Sequence, residues 1–205
     1  MVRLLLLLGL GRDAPVAVVS TWRLVSEPLT MHAFSWSPGE PLPSVGSIEE
    51  EDKARLEEWA LLLEEHYDAT LDLAVRRLLS AIGTRYDDED GVVDAVIALE
   101  SLFGTGQSEV GFRLSAALAW LLETDSEARL GRQKSISRLY NLRSQIVHGA
   151  RVDPSLLSEG RREASQTAVA ALRALFKETP YLISLGNQRG KYAILQVSPR
   201  SASGT

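Results

Sequence analysis

Arg143 and His148 stand five residues apart in the segment Leu139-Tyr140-Asn141-Leu142-Arg143-Ser144-Gln145-Ile146-Val147-His148-Gly149. Arginine presents a planar, permanently charged fork that suits phosphate, and histidine is the side chain whose ordinary pKa lets it exchange a proton near neutrality. Metal-free cleavage of a phosphodiester in RNA takes a base for the 2′-hydroxyl proton, a cation for the charge on the phosphorane oxygens, and an acid for the leaving 5′-oxygen. One arginine and one histidine cover most of that list. On an ideal helix, residues five apart are rotated by about 140° and separated by about 7.5 Å along the axis, so the pair flanks a phosphate rather than sharing a stripe. Asn141, Ser144 and His148 do share a face, and Asn141 or Ser144 is placed to orient a phosphate oxygen or the imidazole.

The charge around this pair is uneven. The chain carries a formal net charge of -5, which argues against a protein that coats nucleic acid non-specifically. From Ala128 to Val152, however, there is no Asp or Glu, while Arg129, Arg132, Lys134, Arg138, Arg143 and Arg151 all fall inside. That strip marks Arg132, Lys134, Arg138 and Arg151 as candidate RNA contacts, or as a solvated helix face.

Composition removes several chemistries. With no cysteine, the chain has no disulfide, no thiolate nucleophile and no cysteine-based metal site. The three histidines, His32, His66 and His148, are far apart in sequence, so no histidine-rich metal site and no cofactor is expected, while Asp and Glu remain able to hold magnesium. The run Leu4 to Leu8 is shorter than the apolar part of a signal peptide and reads as a buried strand. No stretch approaches the roughly 20 apolar residues that cross a bilayer, so the expected location is the cytoplasm, away from membrane.

The elements that must carry the pair are helical. Residues 1–46 form a β-rich arm: Val2 to Leu8 and Val16 to Val25 read as a hairpin around Gly9, Gly11, Asp13 and Pro15. His32 to Ser47, with Pro38, Pro41 and Pro43, follows as an extended linker. Lys191 to Val197 is a candidate third strand within a C-terminal tail over residues 181–205. Residues 47–180 read as a helical domain. Ser47 and Glu50 have the form of a capping box, followed by a stripe of Leu56, Trp59, Ala60 and Leu63. Further helices fit Asp68 to Ile82, about Val92 to Phe103, Ser108 to Glu123, Ser126 to His148 and Leu156 to Glu178, with Gly149 and Pro180 as stops. The expected fold is all-α, a bundle of about six helices with a small N-terminal β-hairpin. Trp22, Trp36 and Trp59 are read as packing residues rather than base-stacking platforms.

In this context the Leu139 to Gly149 segment resembles the Arg-x4-6-His motif of HEPN domains, especially the ApeA-like branch. Ile97-Ala98-Leu99-Glu100-Ser101-Leu102-Phe103 is similar to the helix that packs against the motif helix in that branch, and Arg113-Leu114-Ser115 to Leu121 resembles the helix between them. The likeness covers about residues 47 to 178. It implies a homodimer in which two motif helices face each other across the two-fold axis, giving two histidines per composite site. It also implies metal-independent ribonuclease activity in a toxin-antitoxin, phage-defence or RNA-processing setting, with an antitoxin or defence protein as a further partner. Carried over, Arg143 would bind the scissile phosphate and His148 would act as general base or acid. Glu100 would orient the arginine or serve as a structural charge, with Tyr140, Asn141 and Ser144 in support. Many active members carry Asn, Asp or His immediately after the arginine, where this chain has Ser144. The alternative that follows is a catalytically idle HEPN-fold module that binds RNA or protein.

Overall fold

In the computed structural model, the described residues are 6, 10, 21–26, 31–36, 50–104 and 109–195, and the bundle they form is all-α. Its helices are α1 (Glu50–His66), α2 (Asp72–Gly83), α3 (Asp88–Phe103), α4 (Val110–Leu122), α5 (Ser126–Val147), α6 (Pro154–Lys177) and α7 (Arg189–Leu195). Short 3-10 turns, Ala69–Leu71 and Pro180–Gln188, precede α2 and α7.

The helix starts follow from capping chemistry. Asp87, Asp125 and Asp153 each sit just before α3, α5 and α6 and accept a backbone N–H of the first turn at 2.8 Å. Each such cap stabilises its helix by about 1 kcal/mol. Pro154 then occupies the first turn of α6, where its missing N–H costs nothing.

Helix α3 is the centre of the bundle and packs on α2, α5 and α6. Its Leu99, Leu102 and Phe103 join Leu71, Leu114, Leu118, Leu172 and Phe176 in the larger core. Val92, Ala95 and Val96, nearer its start, meet Leu139 of α5 and Ala164 of α6 in a smaller one. That second core holds the end of α5 in place. An ionic clip closes the α2–α3 turn: the buried Asp94 accepts from Arg77, Arg85 and Ser80 at 2.7–2.8 Å. Burial alone would raise the Asp94 carboxyl, but these hydrogen bonds outweigh it and hold it below its ordinary range.

Three expectations about β structure are corrected. Leu6, within the run read as a strand, is helical and buried, as is Leu10 one turn on. Leucine is a strong helix former, and a short apolar run does not distinguish a strand from a buried helix. A two-stranded antiparallel ladder does form, but it pairs β1 (Thr21–Ser26) with β2 (Met31–Trp36) rather than with Val2–Leu8. Part of the expected linker is therefore strand. The Ser47 cap lies outside the described residues.

Lys191–Val197 is helical through Leu195, not a third strand. The reason is Arg189, which is 1% exposed. It donates to the carbonyls of Leu102, Leu182 and Ile183 and to the Thr70 hydroxyl at 3.0–3.1 Å. Gly190 then lies so close to the Phe103 carbonyl that a Cβ there would collide with it. The segment is fastened to the core rather than trailing from it.

Candidate functional site

Helix α5 ends on backbone geometry that its sequence dictates. Gly149 adopts φ +75°, its N–H donates to the Ile146 carbonyl at 2.9 Å, and the Ala150 N–H donates to Gln145 at 2.9 Å. These two bonds are the Schellman pattern, which requires a left-handed residue that glycine supplies without strain. His148 is consequently the last residue before the turn, and its side chain is exposed.

Arg143 points elsewhere. It falls on the same side of α5 as the buried Ile136 and Leu139, facing α3. There Glu100 meets it, with Nη2 3.9 Å from Oε2. That separation is an ion pair but exceeds hydrogen-bond length. The Arg143 Nε is buried and has no hydrogen-bond partner among the described residues. Burial pushes the Glu100 carboxyl above its ordinary range, and the Arg143 charge offsets this only in part. A buried donor without an acceptor costs about 1–3 kcal/mol. The arginine fork is thus held in a half-buried notch with donors to spare.

The supporting residues are distributed around the helix. Tyr140 is half-buried between the two cores, its ring so close to Gly111 of α4 that a Cβ there would lie 2.8 Å away. Asn141 faces the α5–α6 side, where it joins Arg138, Gln145 and Glu159 around a groove of about 370 Å³ floored by Leu142 and Gly160. Ser144 is half-buried. The structure therefore brings Glu100 to Arg143 and leaves His148 and Asn141 on other sides of the helix.

The basic strip divides in the same way. Arg132 is bound to the Glu123 carboxylate at 2.7–2.8 Å. Arg138 is 77% exposed and only 4.0 Å from Glu163, so it stays largely available. Lys134 and Arg151 are exposed and show no ion pair among the described residues. Arg129, two turns before Ile136, lies over the Trp120 ring at 3.6 Å from its centroid. Reading the sequence alone passed over Trp120. The short α4–α5 connection, which folds residue 120 back beside residue 129, was the signal that could have found it.

No protein-family model, curated protein or solved structure matches the chain. Function must therefore be argued from the side chains. Among the described residues, no group of three or more His, Asp or Glu side chains is placed to hold a metal ion. No helix among them is long and apolar enough to cross a membrane. What the arrangement offers is an underused guanidinium beside a half-buried carboxylate and, one turn further along, an exposed imidazole.

Proposed function

We propose that the chain is a HEPN-type, metal-independent endoribonuclease acting as a homodimer. The observation that carries this reading is the Arg143 notch: a buried Nε without an acceptor among the described residues, next to a carboxylate too distant to hydrogen-bond. An arginine serving only structure would have its donors filled; a phosphate oxygen supplies the acceptor this one lacks. Glu100 positions the fork without saturating it.

The chemistry is completed by His148. It takes the 2′-hydroxyl proton, the oxygen attacks the adjacent phosphorus, and the 5′-oxygen leaves with a proton from the second protomer's imidazole. The products are a 2′,3′-cyclic phosphate and a 5′-hydroxyl. Because Arg143 turns inward and His148 outward on one chain, a composite site between two motif helices accounts for their division of labour. The biological setting this reading favours is toxin-antitoxin, phage defence or RNA processing.

One observation favours the second reading, an idle HEPN-fold module that binds RNA or protein. The His148 side chain has no orienting partner among the described residues. The test separates the two readings. Purified protein in EDTA should degrade single-stranded RNA, and Arg143→Ala and His148→Ala should each abolish this with unchanged helical CD and dimer mass. RNA binding without cleavage between pH 6 and 8 would favour the idle module; equal cleavage by both variants would sink the ribonuclease.

A further inference from the structure

Resting on the ribonuclease reading, the structure also points to where the rest of the substrate strand lies. Helices α4 and α5 form an antiparallel hairpin, marked at one end by the Gly111–Tyr140 contact and at the other by the Trp120–Arg129 stack. Phe112, Ala116 and Trp120 follow the four-residue spacing of one face of α4. Arg129, Tyr140 and Arg143, all partly exposed, fall within about 60° of one another around α5, a sector that also holds the buried Ile136. Neither stripe contains an Asp or Glu, on a chain whose net charge is -5. Two carboxylates border it, Glu100 beside Arg143 and the Arg132-bound Glu123 beside Arg129. Aromatic and cationic side chains side by side are the surface that single-stranded nucleic acid uses.

The far end of this surface is pre-formed. The Arg129 guanidinium lies 3.6 Å from the Trp120 ring centroid, and its Nε donates to the Glu123 carbonyl at 2.9 Å. Two contacts fix the plane of a side chain that would otherwise lose considerable freedom on binding. The Glu123 carboxylate is engaged by Arg132 at 2.7 Å, so Arg129 keeps an uncompensated charge. Its Nη groups make no hydrogen bond or ion pair among the described residues, and the side chain remains partly exposed. Fourteen residues separate Arg129 from Arg143, about 21 Å along the helix. That spans several nucleotides.

We propose that the Trp120–Arg129 stack is a base-binding platform for single-stranded RNA laid along the α4–α5 hairpin, with its scissile phosphate at Arg143. A base stacks on the outer face of the guanidinium, making a three-layer stack with the indole. Stacking is indifferent to base identity, so the platform adds affinity and length preference rather than sequence specificity.

The test uses the full chain and a fluorescent single-stranded DNA of about eight nucleotides, which lacks the 2′-hydroxyl and cannot be cleaved. Arg129→Gln and Trp120→Leu should each weaken its binding about ten-fold. Arg129→Gln leaves the core untouched, so the test stands even where Trp120→Leu folds poorly. Unchanged affinity in Arg129→Gln, or no binding by the parent protein, overturns the platform. Platform-dependent DNA binding without RNA cleavage supports it while removing the ribonuclease reading. RNA cleavage with platform-independent binding does the reverse.

Discussion

Two arginines in this molecule face α3 and meet opposite environments. Arg189 is buried, and its fork is filled by three carbonyls and a hydroxyl, with no carboxylate in direct contact among the described residues. Burial lowers its pKa, and Asp68 counters this only from a distance. Arg143 has a carboxylate beside it, yet its Nε is left without an acceptor among the described residues. The first arginine is consumed by the fold: its donors satisfy the ends of α3 and of the following turns. The second is positioned by the fold and left incomplete, which is what a ligand-binding cation needs. Charge pairing alone would have ranked them the other way round.

The largest expected effect comes from breaking the filled site. Arg189→Ala should cost about 3–5 kcal/mol, because it strands buried carbonyls and opens a cavity. A urea titration monitored by CD would read this as a lower midpoint at unchanged slope. A loss under about 1 kcal/mol would mean that the clamp is not what holds α7.

Next in size is the cap that places His148. Gly149→Ala forces a Cβ into φ +75° and should destabilise by about 1 kcal/mol, while Gly149→Asn, which tolerates that region, should cost less. If the two variants melt alike, backbone strain is not what the glycine relieves.

Arg143→Met sharpens the contrast with Arg189 most. It removes an unsatisfied donor along with a distant ion pair, so stability should change by less than about 1 kcal/mol. A loss comparable to that of Arg189→Ala would make Arg143 a structural residue.

The smallest effect is on pH dependence. The Glu100 pKa is raised by burial, so the folded state binds its proton more tightly than the unfolded chain does. Its contribution is fully present below the unfolded pKa and is lost as pH rises through the folded one. Relative to Glu100→Gln, the parent protein should therefore lose stability as pH rises through the carboxylate range. Thermal melts in a pH series would reveal a difference that is flat or of opposite sign if Arg143 fully compensates the charge.

Much of this organisation was legible in the sequence. Helices α1 to α6 lie close to where apolar spacing and capping residues put them, because their signals are local: Asp125 before α5, Pro154 after Asp153, and Gly149 at a stop. Glu100 and Arg143, on helices expected to pack together, do approach each other. Arg189 was not legible as a clamp, since its partners include the Leu102 carbonyl, 87 residues away in sequence, and carbonyls carry no residue signature. Leu6 was misread for a different reason: a short leucine run predicts burial well and conformation poorly. The basic strip looked continuous in one dimension, but helical geometry divides it, sending Arg138 to the α6 groove and Arg129 to Trp120.

The claim that Arg143 is a phosphate-binding cation paired with a proton-transferring His148 is tested most directly by the ends of the RNA it makes. Mass spectrometry of fragments from single-stranded RNA incubated with the protein in EDTA should find 2′,3′-cyclic phosphates and 5′-hydroxyls, absent with Arg143→Ala and with His148→Ala. Fragments ending in 3′-hydroxyls, or cyclic phosphates produced equally by His148→Ala, would contradict it.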